Sequence, residues 1–134
     1  MRYEQPTSSH QPNLQLLGVI AGGLLGAAVR VVVASAAGRS PAEFPWATLT
    51  VNLSGAFLLG AFLARWRRAA TAPWAVRFWA IGALGAMTTF SAFSLEVVQL
   101  LEAGRGWAAA IYVVASTAGG LLAALGGDTL GRVR

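Results

Sequence analysis

The chain contains no cysteine and no lysine, and its one histidine is His10. Without cysteine there are no disulfides and no thiolate metal sites. His10 lies in a polar N-terminal stretch, so a hydrolase serine further along has no imidazole base to call on. No H-E-x-x-H motif, Walker loop or Cys/His cluster is present either, which removes the common metal and nucleotide chemistries. Charge is scarce as well. Only 11% of residues are charged and 56% are hydrophobic, against about 25% charged in an ordinary soluble domain. A soluble domain of 134 residues could not hide so much apolar surface, because short chains bury the smallest fraction of theirs. The net charge of +5 rests on arginine alone. Those arginines lie mostly in short connectors, where they act as topology signals rather than as a nucleic-acid patch.

What is present is a succession of apolar runs. Residues 1–13 are polar, with Pro6 and Pro12, and read as a tail. A membrane helix needs about 20 residues to cross a roughly 30 Å hydrocarbon core. Runs of that length fall at about 14–37, 46–64, 74–101 and 107–125. The first is too long and too glycine-rich for a secretory signal. Gly22 and Gly26 within it form a G-x-x-x-G pair that permits close helix approach. Pro45 and Pro73 suit the first turns of the second and third helices, where a missing N–H costs least. Trp46 is placed as an interfacial anchor. The sequence therefore predicts one all-α membrane domain of four transmembrane helices joined by short loops. The side holding both termini and the second connector carries seven arginines, against Arg39 and Arg105 on the other side. This bias places both termini in the cytoplasm.

Several polar residues interrupt the apolar runs. The stretch Thr88-Thr89-Phe90-Ser91-Ala92-Phe93-Ser94 puts four hydroxyls and two phenylalanines where lipid-facing logic asks for aliphatic residues. In hydrocarbon, unpartnered hydroxyls and amides cost several kcal/mol, so such groups face protein, water or a ligand. Two adjacent β-branched threonines after Gly85 are a place for the helix ladder to open. Carbonyls exposed at such a break coordinate Na⁺ well. Asn52 either bridges two helices or offers N–H donors to something in transit. Arg30 reads as a snorkelling residue near its span's end or as an anion-attracting mouth. Tyr112, Ser116 and Gly120 are spaced by four and share a helix face. Glu96 is an intramembrane carboxylate with no acid/base partner at an obvious spacing. Phe90 and Phe93 are either packing residues or, through their positive ring edges, weak partners for an anion. Neutral donors suit an ion that must enter and also leave.

The stretch Gly82-x-x-Gly85-x-x-Thr88-Thr89-Phe90-Ser91-x-Phe93-Ser94-x-Glu96 resembles the signature of the CrcB/Fluc fluoride channels. Three further segments agree in order and spacing: Gly22-Gly23-x-x-Gly26-Ala27-x-x-Arg30, Phe44-Pro45-x-x-Thr48-Leu49-x-Val51-Asn52-x-x-Gly55, and Tyr112-x-x-x-Ser116. The resemblance covers about Gly18 to Gly127. It implies a four-helix protein with its third helix broken at mid-membrane, assembled as an antiparallel dimer with fluoride pathways and one structural Na⁺. By motif position Phe90 and Phe93 would face fluoride, and Asn52 would donate along the path. Tyr112 and Ser116 would form a polar track, with Ser94 and Glu96 near it and Arg30 at the vestibule. The carbonyls of Gly85 and Thr88 would hold Na⁺.

Three positions depart from the family pattern: Ala47 stands where Gly is usual, Ala92 where Thr is common, and Gly120 where some relatives carry a second serine. The resemblance implies a fluoride-specific channel, not an enzyme, that lets fluoride leave the cytoplasm passively across the plasma membrane and lowers its toxicity. The competing readings are a small four-helix multidrug-type transporter and a non-conducting membrane assembly protein. The first would want a carboxylate in the first span, where this chain has Arg30; the second leaves the hydroxyl stretch and Asn52 idle. Because the arginine bias opposes insertion in both orientations, the dimer partner is a second copy or an oppositely oriented paralogue.

Overall fold

The computed structural model describes residues 12–68 and 72–133. The polar residues ahead of Pro12, His10 among them, lie outside the described part, as does Arg134. All regular structure in the described residues is helical: α1 (Pro12–Ala37), α2 (Trp46–Trp66), α3 (Pro73–Val76), a π-helical stretch (Arg77–Leu84), α4 (Gly85–Met87), α5 (Phe90–Glu102) and α6 (Gly106–Arg132). Four segments are long and apolar enough to cross a membrane: Asn13–Ala37, Trp46–Trp66, Pro73–Glu102 and Gly106–Arg132. The third of these holds α3, the π-helical stretch, α4 and α5 in succession. π-helical runs of such length are rare and accompany functional sites.

The turns between spans follow from local chemistry. Gly38 (φ 53°) follows the last residue of α1, and Gly104 (φ 72°) lies just past α5. Both occupy the left-handed region that closes a helix C-terminus at no Cβ cost. Pro73 sits in the first turn of α3, and Pro45 precedes α2 and is buried.

Two helix pairs make up most of the packing. α2 lies along α6, and α1 lies along the π-helical stretch and α4. Glycines bring the backbones together in both seams. A Cβ at Gly26 would strike the carbonyl oxygen of Ala83, and one at Gly127 that of Phe57. α5 leans on α6, and the small core lies there: Leu49, Leu100, Ala109 and Tyr112 are buried, with Phe44, Leu53, Phe93 and Val97 packed against them. The outer surface is apolar, as Leu24, Val32, Leu122 and Trp107 show, which fits a molecule whose solvent is lipid.

α6 continues past Leu125 to Arg132. Gly126 and Gly127 do not stop it, because Gly127 is needed for contact with α2 rather than for a turn. The extra turns carry Asp128 to Arg67 beyond the end of α2, and Arg132 meets the same carboxylate one turn on. Arg77, counted above with the connector, lies inside the third segment.

The α1 seam gives a test of this packing. Gly26→Ala should lower the melting temperature in detergent, with an overpacking cost of about 1–3 kcal/mol. Gly23→Ala, whose Cβ would meet nothing within 4 Å, should leave it unchanged. Differential scanning fluorimetry of both variants checks the contrast.

Candidate functional site

Thr88 (φ −77°, ψ 148°) and Thr89 (φ −145°, ψ 122°) are extended, so α4 ends at Met87 and α5 starts at Phe90. Two extended residues release backbone groups that a continuous helix would pair, and each must find another partner. Asn52 on α2 answers for Thr89. Its Nδ2 donates to the Thr89 carbonyl at 3.1 Å, and its Oδ1 accepts from the Thr89 N–H at 2.9 Å. One amide thus satisfies both sides of one residue, the best use of its donor and acceptor. Thr89 also caps α5, its Oγ1 accepting from the Ala92 N–H at 3.2 Å.

Across the interruption Arg30 answers for the Ala86 carbonyl, while the Gly85, Met87 and Thr88 carbonyls lose their helical donors. Two of these bear on the expected cation site. In a regular helix the Gly85 oxygen would take the Thr89 N–H, which here goes to Asn52. Among the described residues it receives a long contact of 3.5 Å from the Thr88 hydroxyl, which prefers the Leu84 carbonyl at 3.2 Å. The Thr88 oxygen would take the Ala92 N–H, which the Thr89 side chain holds instead. Both freed oxygens are hard neutral donors of the kind that a small hard cation takes.

In the first turn of α5, the two phenylalanines expected to act together differ in setting. Phe93 packs into the core against Tyr112, with ring centroids 5.2 Å apart. The Phe90 ring touches Phe93 at 5.7 Å but is 79% exposed. Three residues advance a helix by about 300°, so the second ring is displaced by about 60° from the first. Ser94 turns its hydroxyl back onto the Phe90 carbonyl at 2.9 Å.

Glu96 is the hub of the side-chain hydrogen bonds. Thr48 of α2 donates to its Oε1 and Tyr112 of α6 to its Oε2, both at 2.7 Å. Three helices therefore meet on one carboxylate. The buried Tyr112 ring also receives Phe44 edge-on at 5.6 Å. Ser116, one turn along α6 from Tyr112, has a buried hydroxyl oxygen beside that phenol. A cavity of about 130 Å³ opens between α1, α2 and α5, bounded by Arg30, Ala47, Thr48, Thr89, Ala92 and Glu96. Arg30 donates from Nε to the Ala86 carbonyl at 3.3 Å, so it is anchored to the last turn before Thr88.

The structure therefore brings Arg30, Thr89 and Glu96 to one cavity, ties Asn52 to it through Thr89, and links Phe93 to Glu96 through Tyr112, with Ser116 one turn on. Phe90 touches Phe93 but lies on the surface. Sequence reasoning missed two roles. Thr48 entered only as a motif position and not as the partner of Glu96, because their separation of 48 residues carries no local signal. Arg39 counted only as a loop charge, yet its Nε lies 3.9 Å from Glu96.

A family model described as CrcB-like protein, Camphor Resistance (CrcB), matches residues 17–128. The chain belongs to the CrcB-like family. A CrcB-like relative from Chelativorans sp., named fluoride-specific ion channel FluC, is 44% identical over 119 residues, covering 87% of this chain and 95% of the relative. A relative from Geobacillus kaustophilus, named fluoride-specific ion channel FluC 2, is 44% identical over 117 residues, with 83% and 88% covered. One from Rhodospirillum centenum, named fluoride-specific ion channel FluC, is 43% identical over 118 residues, with 82% and 91% covered. These relatives carry channel names. With its four apolar spans the chain is a multi-pass membrane protein.

The Asn52 clamp is open to direct measurement. Asn52→Ala strands the N–H and the C=O of Thr89, at about 1–3 kcal/mol for each unpaired group. The melting temperature in detergent should fall by more than for Ser94→Ala, which removes only a bond within one helix turn.

Proposed function

We propose that this chain forms a fluoride-specific channel of the plasma membrane through which fluoride leaves the cytoplasm passively. The observation that carries the reading is the row Phe93, Tyr112 and Ser116. A ring, a phenol and a buried hydroxyl follow one another along the α5–α6 contact. The Phe93 ring and the Ser116 hydroxyl offer hydrogens to an anion without holding it by full charge, so it can enter and leave. The Tyr112 phenol between them gives its one hydrogen to Glu96. The names of the relatives support fluoride as that anion. Hydrogen fluoride crosses lipid as the neutral acid and ionises inside, so a passive exit lowers the internal load. Arg30, at the cavity beside Thr89, supplies the positive field at the vestibule.

The finer assembly belongs to the same proposal. The extended pair Thr88–Thr89 is the mid-membrane break of the third span, and the Gly85 and Thr88 carbonyls hold a structural Na⁺ that is not itself transported. Two carbonyls are too few for a cation that takes about six oxygens, so a second chain completes the shell. An antiparallel dimer does this and also covers the exposed Phe90. Both termini lie in the cytoplasm, and the partner is a second copy or an oppositely inserted paralogue.

The test is fluoride release from loaded liposomes, followed with a fluoride electrode. Release is expected on opening the ion gradient with a cation ionophore; its absence while a control fluoride carrier works overturns the channel reading. Phe93→Ile should slow release at least about tenfold by removing the polar ring edge from the path. Replacing Na⁺ on both sides with a large organic cation should abolish release. Undiminished release without Na⁺ removes the cation from the account.

A further inference from the structure

We infer that Arg39 is a positioning residue for the fluoride path: it compensates the charge of Glu96 and holds that carboxylate toward Thr48 and Tyr112. The inference rests on the channel reading above.

Loop arginines that serve only topology stand in solvent or headgroups. Even Arg67 and Arg132, which meet Asp128, keep side chains 55% and 61% exposed. The Arg39 side chain is 16% exposed and is folded inward. Its own connector holds it there. One terminal nitrogen donates to the carbonyls of Pro41 at 3.2 Å and Glu43 at 2.6 Å, and the other donates to the Gln99 side chain of α5. Arg105, from the α5–α6 link, pins the same connector through the Ala42 carbonyl at 2.6 Å. This leaves the Nε edge of Arg39 facing Oε1 of Glu96 at 3.9 Å.

The carboxylate needs such a neighbour. Glu96 is 13% exposed and bonded to Tyr112, a residue of the path itself. Thr48 and Tyr112 give it hydrogen bonds but no positive charge. An anion about 6 Å from a bare carboxylate loses roughly a hundredfold in occupancy at an effective dielectric near 20. Arg39 removes that penalty from outside the path, while its bonds to Pro41, Glu43 and Gln99 keep it from becoming an anion trap.

The test is a double-mutant cycle read by fluoride release, because a coupling energy separates charge compensation from a loop brace. Arg39→Gln should slow release at least about tenfold with Glu96 present, and by less than about threefold beside Glu96→Gln. Arg39→Lys, which keeps the charge and loses the fork of bonds, should stay within about threefold of the starting protein. An equal loss in both backgrounds, full release by Arg39→Gln, or an Arg39→Lys as slow as Arg39→Gln overturns the inference. The chain has no cysteine, so Arg39→Cys labelled after reconstitution repeats the comparison on folded protein. A cationic thiol reagent should restore release and a neutral one should not; equal effects overturn it as well. Failure of the unmodified chain to release fluoride overturns the channel reading first.

Discussion

A backbone N–H and C=O released from a helix within an apolar span have no water to turn to, and here one asparagine takes both. The pairing of Asn52 with Thr89 fixes where α4 stops, where α5 starts and how α2 lies against them. It also decides which oxygens stay free. Because Asn52 takes the Thr89 N–H and Thr89 takes that of Ala92, the Gly85 and Thr88 carbonyls are left without backbone donors. The proposed cation site is thus a consequence of how the interruption is satisfied.

A second polar node carries this arrangement to the rest of the bundle. Glu96 gathers Thr48, Tyr112 and Arg39, so α2, α5, α6 and the first connector all bear on one carboxylate. Around these nodes the helices are held by close backbone approach at glycines more than by large side chains. That suits a membrane protein, in which apolar surface gains little by leaving lipid and packing rests on fit. It also leaves much of the third span's surface uncovered, with Phe90 and Gly85 at the outside.

Hydropathy made the four spans legible, and the short loops followed from glycine and proline. The two threonines after Gly85 pointed to the region where the extended residues lie. What the sequence hid was long-range pairing. Nothing local joins Thr48 to Glu96 or Arg39 to Gln99, which are 48 and 60 residues apart. The unlike settings of Phe90 and Phe93 were hidden too, since spacing by three suggests one face while packing decides which ring is covered. The run of α6 past Gly126 and Gly127 was misread because glycine serves close approach and helix termination alike.

The functional account comes down to one physical claim: neutral hydrogen donors around an interrupted span favour a small, strongly accepting anion over a larger one. Its most direct test loads liposomes with fluoride and chloride in equal amounts and follows both with ion-selective electrodes after the protein is reconstituted. The account predicts that fluoride leaves and chloride stays. Chloride released at a rate comparable with fluoride would contradict it.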